Sequence, residues 1–452
     1  MSRISRLANC PVGEKRSLRY NASMRIFVVA VFFLLTLALV WRIKPVMEPR
    51  ETYNTFFPRE KFLKKMGSPV SKWMTEQLEG DFHSTFPITA EKVAKAYHTI
   101  IQRIQDPSLC SHYRVIDNQL YKYTFQKHHA ASRDTGLEKA FKTLLCQVKV
   151  PDIDFIVVPM DGIPETHLAP DFYLMQNPLE QVPILGQAKL REPLTQFVVL
   201  IPDQISLSES WYNISKEVES INDLIPWKEK KGKAFWRGGT ADIPIPEKDN
   251  GTLSITPRVT LCRLSQKNPE WVDARFYTAD SPTLFKLLEK EGLLSPFIEK
   301  RDHLRYRYQP AINGHMCTYP GLHWRLYSDA LTLKQESDQI QWFYSALKPY
   351  EHYLPIANDL SDLIEKMEWA QNHEKECLKM VENARAFVSS DLLYEDCYRY
   401  LFLVFAKYAE HQEIDFKSLR SQMQKDPHWV NIQCRKRAEF LKWVHSKLEK
   451  AS

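Results

Sequence analysis

Three short passages carry residue types that suit a reaction on a phosphorylated substrate. The first is Ala234–Thr240 (AFWRGGT), in which an apolar strand ends and Arg237 follows. Gly238 and Gly239 permit a close backbone approach to a bulky anion, and Thr240 offers a hydroxyl. The planar fork of an arginine matches a diphosphate. A Gly-Gly turn beside a surface arginine is the competing interpretation, and for this passage alone it is the commoner outcome.

The second passage is Asn313–Leu326 (NGHMCTYPGLHWRL), a loop with glycines and a proline that leads into a helix. The first turns of that helix carry Arg325. A helix start beside an arginine favours an anion. A solvated arginine on an amphipathic helix is the simpler interpretation when this passage is taken alone.

The third passage, Phe155–Glu165 (FIVVPMDGIPE), places Asp161 at the end of an apolar strand. A carboxylate there can accept a proton as a general base, although Asp-Gly is also a common turn pair. The nearby Asp152-Ile153-Asp154 has the D-x-D pattern of metal-dependent sugar transferases, but the apolar run follows it instead of preceding it. We therefore expect no metal site, and the scattered cysteines offer no zinc-ligand spacing either.

Composition and motif content exclude several classes of protein. The 452 residues include 61 basic and 55 acidic ones, and a formal charge of +6 does not indicate nucleic-acid binding. The patterns of phosphate-loop ATPases, Rossmann dinucleotide enzymes and serine hydrolases are absent from the sequence. The eight cysteines permit disulfides in an oxidising compartment but are equally ordinary as buried thiols.

Short apolar strands that alternate with helical stretches must position these passages. Strands are predicted at 155–160, 196–201, 233–236, 274–277, 330–334 and 352–356, after a helix at 93–104 and a hairpin at 112–123. This alternation favours parallel sheets covered by helices. The charged stretch before residue 233 marks the predicted boundary between two domains. An aromatic stripe after residue 391 indicates a helix that packs into a core.

An uncharged run near the N-terminus, Ile26–Trp41, predicts a membrane anchor. Its 16 residues would extend about 24 Å as a helix, slightly less than a ~30 Å hydrocarbon core. A cleaved signal peptide is the alternative, but a long segment precedes the run and no A-x-A site follows it. We therefore predict one uncleaved transmembrane helix at 26–43. The flanking charges favour a cytoplasmic N-terminus only slightly, so the compartment of the remaining chain stays open.

From about Tyr113 to about Tyr408 the sequence resembles the capsule-associated protein family of glycosyltransferases, whose animal members are the protein O-glucosyltransferases. The most specific segment is Leu331–Leu363. The segments that carry the resemblance, in chain order, are YRVIDNQLY, IPWKEKKGKAFWRGGT, RVTLCRLSQKNPEWVDARF and QWFYSALKPYEHYLPIANDLSDL. Several motifs in the correct order are hard to obtain by chance.

The resemblance implies an α/β protein of GT-B architecture, with two Rossmann-like domains and a cleft between them. The segments expected on that basis are an N-terminal tail at 1–25, the anchor at 26–43, a stalk at 44–87, an N-terminal acceptor domain at 88–225, a C-terminal nucleotide-sugar domain at 226–390, and C-terminal helices at 391–452 that pack back on the first domain.

The resemblance also implies the reaction. A UDP-sugar donor would pass a hexose or pentose, in particular glucose or xylose, to a hydroxyl of a protein or glycan acceptor, with inversion and without a metal or other cofactor. Arg237 and Arg325 look like the two diphosphate-binding arginines, beside the 238–240 loop. Asp161 falls where the family keeps its catalytic base. Because the family's base is followed closely by proline and Asp161 is not, Asp154 and Glu165 stay as alternatives.

Two other functions are weighed against this one. A catalytically inactive relative would keep the fold and act as a membrane-tethered binding protein, but the presence of Arg237, Arg325 and Asp161 favours an enzyme. A phosphotransferase would need clustered carboxylates for magnesium and a phosphate-loop lysine, and the sequence offers neither.

Overall fold

Two large β-sheets covered by helices form the framework of the protein, and the described residues include one further sheet of two strands. The structure, a computed structural model, describes residues 57–82, 87–103, 109–124, 135–159, 161–162, 182–191, 195, 197–244 and 252–433. The helices are α1 (Arg59–Met66), α2 (Lys72–Phe82), α3 (Ala90–Arg103), α4 (Thr135–Gln147), α5 (Glu209–Ile221), α6 (Pro257–Lys267), α7 (Pro282–Lys290), α8 (Lys300–His303), α9 (Gly321–Tyr327), α10 (Leu363–Asn372), α11 (Glu374–Asp391), α12 (Tyr394–Glu410) and α13 (Phe416–Met423). The strands are β1 (Ser111–Ile116), β2 (Gln119–Tyr123), β3 (Ile153–Val158), β4 (Ile184–Gly186), β5 (Lys189–Leu190), β6 (Val198–Leu200), β7 (Lys231–Gly238), β8 (Val272–Phe276), β9 (Tyr306–Ala311), β10 (Leu331–Gln335), β11 (Gln339–Ile340), β12 (Leu354–Ile356) and β13 (Trp429–Asn431).

The first sheet has the order β13-β2-β1-β3-β4-β6 and is mixed. Strands β3, β4 and β6 run parallel, whereas β1, β2 and β13 pair in antiparallel fashion. The predicted hairpin is confirmed: Asp117 and Asn118 have φ values of 51° and 59° between β1 and β2. A two-residue hairpin turn requires this left-handed backbone, which aspartate and asparagine tolerate.

The second sheet consists of five parallel strands in the order β12-β10-β9-β7-β8. A further parallel bridge joins Phe276 at the end of β8 to Leu294. Strand β7 is the first of this set along the chain and lies between the second, β8, and the third, β9. The order therefore reverses at β7, and open α/β sheets bind ligands outside the carboxyl ends of the strands at such a point. A mixed α/β fold with parallel sheets thus agrees with the sequence-based prediction.

Each sheet has its own hydrophobic core, and helix α9 connects the two. Leu322, Trp324 and Leu326 of α9 belong to the core of the first sheet, although the helix lies between β9 and β10 of the second along the chain. Helix α12, which carries the predicted aromatic stripe, also lies in the first core. The buried hydroxyls of Tyr398 and Tyr408 donate to carbonyl oxygens at 2.8 and 2.9 Å, which satisfies their polar ends.

The segment predicted as a stalk, 44–87, contributes two helices to the folded part of the chain. Phe62 of α1 and Met74 of α2 are fully buried in the first core. Asp81 of α2 is also buried and accepts a hydrogen bond from Lys189 Nζ at 2.7 Å. The stalk prediction is therefore wrong for this part of the segment. Helices of 8 and 11 residues with many charges show too few apolar positions to give a clear period.

Within the described parts of the chain, none of the helices has the length and apolar character needed to cross a membrane. The predicted anchor at 26–43 lies outside those parts and stays a prediction, as does the domain division near residue 225. The six cysteines that the structure describes are buried free thiols.

Candidate functional site

Arg237 lies at the carboxyl end of β7 and is bound to the neighbouring strand. Its Nη2 donates to Asp273 Oδ1 at 2.8 Å, and its Nη1 donates to the carbonyl oxygens of Asp273 and Trp236 at 3.0 and 2.8 Å. The guanidinium also stacks over the Phe235 ring, with Cζ 4.3 Å from the centroid. The Asp273 carboxylate therefore neutralises the charge of Arg237, so a diphosphate would compete with an existing ion pair.

The glycines after Arg237 are required by packing. A Cβ at Gly238 would lie 2.2 Å from the Trp236 ring, so a larger residue would displace that buried side chain. Thr240 Oγ1 donates to Asp280 Oδ2 and accepts from the Asp280 backbone N–H, both at 2.9 Å. These bonds fasten the loop after β7 to the loop after β8.

Arg325, on helix α9, is a buried arginine without a counter-ion among the described residues. It is 5% exposed, and its Nη1 donates to the Gly321 carbonyl at 2.9 Å while its Nε has no partner. No carboxylate of the described residues forms an ion pair with it. Burial and, to a smaller extent, the positive charge of Arg258 lower its pKa to about 9. A buried cation that keeps unused donors is an environment that an anion stabilises.

Arg258, in the first turn of α6, is a site residue that sequence reasoning missed. It is 9% exposed, and its three terminal nitrogens donate to the carbonyl oxygens of Gly239 (2.8 Å), Asn313 (2.9 Å) and Ile312 (3.3 Å). It therefore joins the loop after β7 to the loop after β9. A cation in the first turn of a helix opposes the helix dipole, and this unfavourable position was the available sequence signal.

Arg258 and Arg325 together form the arginine patch, which differs from the predicted pair of Arg237 and Arg325. A row of rings in edge-to-face contact separates the two predicted arginines: Phe235 under Arg237, then His303, then Trp324 under Arg325. Burial, followed by the charges of Arg325 and Arg237, lowers the pKa of His303 to about 3. A neutral imidazole thus lies between the two cations.

Asp161 lies at the end of β3 and contacts the loop that the arginine patch holds. Tyr319 Oη donates to the Asp161 carbonyl at 2.5 Å, and a Cβ at Gly162 would lie 2.7 Å from Met316. The same loop begins at Asn313, which Arg258 binds. No described side chain forms a hydrogen bond or ion pair with the half-buried Asp161 carboxylate.

The two alternative carboxylates differ from Asp161 in their positions. Asp154 is fully buried in β3, where its Oδ1 lies 2.5 Å from His112 Nε2 and its Oδ2 accepts from Arg114 Nε at 3.0 Å. A carboxylate enclosed in this way cannot reach an acceptor hydroxyl. Glu165 lies outside the described residues.

Comparisons with known proteins identify a family for this chain. The family model described as glycosyl transferase family 90 matches residues 71–449. Protein O-glucosyltransferase 2 of Danio rerio is 29% identical over 355 residues, which cover 77% of this chain and 64% of that protein. Protein O-glucosyltransferase 3 of Homo sapiens is 28% identical over 305 residues, which cover 67% of this chain and 55% of that protein. The chain thus spans less than two thirds of the length of these relatives.

A solved structure, the C-terminal domain of a glycosyl transferase group 1 family protein (LpcC) from Francisella tularensis, is 14% identical and covers 41% of this chain and 94% of that one. Its TM-score of 0.26 is too low to decide the fold. The extent of the family match does decide the family. The chain belongs to glycosyl transferase family 90.

Proposed function

We propose that this glycosyltransferase moves a hexose or pentose, glucose or xylose in the first place, from a UDP-sugar to a hydroxyl of a protein or glycan acceptor. The single observation that carries the proposal is the buried arginine patch, in which Arg325 has no carboxylate partner among the described residues. A diphosphate would provide the negative charge that Arg325 lacks among the described residues. The relatives named protein O-glucosyltransferase support glucose as the first donor to test.

The proposed reaction is a displacement with inversion in a GT-B arrangement of the two sheets. The acceptor oxygen attacks the anomeric carbon while the bond from that carbon to the diphosphate oxygen breaks. Asp161 takes the proton of the acceptor hydroxyl, and UDP leaves with the bonding electron pair. Arg325 and Arg258 stabilise the charge that develops on the diphosphate, which is the task that a divalent metal performs in metal-dependent transferases. We therefore propose a reaction without a metal.

UDP binding to arginine variants tests the proposal. Charge-assisted hydrogen bonds of this type contribute about 1.5–3 kcal/mol, so Arg325→Ala should weaken UDP binding about tenfold to a hundredfold. Arg325→Lys should restore only part of the affinity because an ammonium has no planar fork. Arg263→Ala is the matched control, since Arg263 is half-buried on α6 and already bound to Glu291 at 2.9 Å. Unchanged UDP affinity in Arg325→Ala would remove this arginine from the site.

A donor screen distinguishes the enzyme from the inactive relative. The protein is incubated with UDP-glucose, UDP-xylose, UDP-galactose and UDP-GlcNAc, and release of UDP is followed with and without EDTA. Turnover of one donor that EDTA does not affect supports the proposal. Loss of activity that magnesium or manganese restores contradicts the metal-free reaction. A protein that binds UDP but turns over no donor favours a membrane-tethered binding protein.

A further inference from the structure

Two exposed aromatic rings lie beside the arginine patch. Tyr277 directly follows β8, and Phe297 lies in the loop after helix α7. The centroids of the two rings are 5.3 Å apart, and the ring planes make an angle of 77°. They are 40% and 63% exposed, whereas Trp236 and Phe276 at the same edge are buried. Adjoining aromatic rings in water expose apolar surface that a monomeric fold would ordinarily bury. Such a patch indicates a binding surface.

Backbone hydrogen bonds hold both rings at the carboxyl edge of the second sheet. The Tyr277 N–H donates to the Gly238 carbonyl at 3.1 Å. The Ser295 N–H donates to the Phe276 carbonyl at 2.8 Å and so fixes the start of the loop that carries Phe297. The aromatic pair is therefore anchored to the loop after β7, the same loop whose Gly239 carbonyl accepts from Arg258.

Tyr277 also lies close enough to Arg258 to interact with its charge. Burial lowers the pKa of Arg258, and the charges of Asp242, Asp280 and Tyr277 raise it in part. Thr240 connects this region further, because its hydroxyl donates to Asp280 at 2.9 Å. The two rings, Arg258 and the Thr240–Asp280 pair thus lie at the same edge of the second sheet. A nucleoside diphosphate contains groups that suit these features: a flat base, a ribose with hydroxyls and an anionic diphosphate.

We propose that Tyr277 and Phe297 form a platform on which the base of the nucleoside diphosphate stacks, while the arginine patch holds the phosphates. This inference rests on the proposed function in that the donor is a nucleotide. Stacking on an aromatic ring tolerates any base, since every base has a π face. The platform therefore supplies affinity for a nucleoside diphosphate and leaves the choice among bases to other contacts.

Titration of ring variants of the full-length protein with three probes tests the platform. The probes are UDP, UMP and inorganic diphosphate. Tyr277→Ala and Phe297→Ala should each weaken UDP and UMP binding about fivefold to a hundredfold, the range expected for one lost stacking contact. Binding of inorganic diphosphate should not change, because the probe has no base. Tyr277→Phe should keep the affinity, since the ring face is retained.

Phe285→Ala is the matched control, because Phe285 on α7 is 45% exposed and lies outside the ring pair. It should leave the binding of all three probes unchanged. Parent-like UDP affinity in both alanine variants overturns the platform. Equal weakening of inorganic diphosphate also overturns it, since the rings would then act on the patch or on the fold.

The same titrations, extended to ADP and GDP, separate the platform from the proposed donor. If the unaltered protein binds ADP or GDP in place of UDP and the binding depends on Tyr277 and Phe297, the platform stands and the uridine donor is wrong. If it binds no nucleoside diphosphate, both proposals are wrong. If it binds UDP and neither ring variant weakens the binding, only the platform is wrong.

Discussion

The arginines near the carboxyl edge of the second sheet differ in how their charges are balanced. Arg237 forms an ion pair with the Asp273 carboxylate at 2.8 Å, whereas Arg325 has a carbonyl partner and no carboxylate partner among the described residues. A buried charge without a partner is costly, so its persistence indicates a ligand more strongly than a paired charge does. Arg325 is therefore a better candidate anion ligand than Arg237, although both lie near the same edge.

One substitution at each of two carboxylates separates their roles: Asp154 lies in β3, and Asp161 follows that strand. Asp161→Asn keeps the shape of the side chain but removes its basicity, so transfer should fall about 10²–10⁴-fold while UDP binding stays nearly normal. Asp154→Asn should instead lower the free energy of unfolding by about 3–5 kcal/mol, because it breaks a buried cluster with His112 and Arg114. Transfer rates, UDP titration and urea unfolding of both variants check this. Near-normal transfer by Asp161→Asn would remove Asp161 as the base.

At the scale of elements, the linker between α5 and β7 is tied to the end of helix α9. Lys230 Nζ lies 2.9 Å from Asp329 Oδ1, and the Asp223 N–H donates to Asp329 Oδ2 at 2.8 Å. The Asp329 N–H in turn donates to Asn222 Oδ1 at 3.0 Å. Because α9 also carries Arg325, this network fixes the connection between the two sheets and the arginine patch together.

Two ion pairs of this linker should differ in their effect on stability. The side chains of Lys230 and Asp329 are 1% and 8% exposed, so Asp329→Ala leaves a buried cation and should cost about 3–5 kcal/mol. Arg385 and Asp223 form a nearby pair whose side chains are 33% and 69% exposed, so Arg385→Ala should cost less than about 1 kcal/mol. Urea unfolding of both variants measures the difference. Equal costs would contradict the network described for Asp329.

Element prediction succeeded where apolar residues form runs and failed where they do not. The strands predicted at 155–160 and 233–236 are confirmed within a few residues as β3 and β7. Strand β9 has the sequence YRYQPA, whose charged and proline residues conceal it, although it is mostly buried in the sheet. Arg258 was missed for a similar reason, because its partners in the 312–313 loop lie more than 50 residues away along the chain. Local sequence patterns predict helices and strands, whereas a site assembled from loops that are distant along the chain can be recognised only in the tertiary structure.

At the scale of the whole molecule, two buried histidines make stability depend on pH. Burial lowers the pKa of His323 and, together with nearby arginines, that of His303 to about 3. An unfolded histidine titrates near ~6.5, so the unfolded chain takes up protons first as the pH falls. The contribution of these histidines to the free energy of unfolding should be complete above pH ~6.5. Below that pH it should decrease by about 1.4 kcal/mol per histidine for each pH unit, down to about pH 3.

Urea unfolding at pH 7, 6 and 5 measures this dependence. The two buried histidines should contribute about equally to the pH dependence of the free energy of unfolding. His323→Gln should therefore remove about half of their joint contribution, because glutamine does not titrate. His428→Gln, at an exposed position, serves as the control and should leave the slope nearly unchanged. A slope that is the same in the parent and in His323→Gln would mean that this histidine is not kept neutral by the fold.

Truncations of the N-terminal segment test the predicted anchor and the corrected stalk together. A variant that lacks residues 1–43 should leave the membrane fraction and unfold in urea like the full chain, because α1 and α2 remain. A variant that lacks residues 1–87 should not fold stably, since it loses the buried Phe62, Met74 and Asp81. Loss of one buried phenylalanine alone costs about 3–5 kcal/mol, a large part of a typical stability of ~5–15 kcal/mol. Retention of the shorter truncation in membranes after a high-salt wash would show a second anchor, and a stable 88–452 fragment would show that α1 and α2 are dispensable.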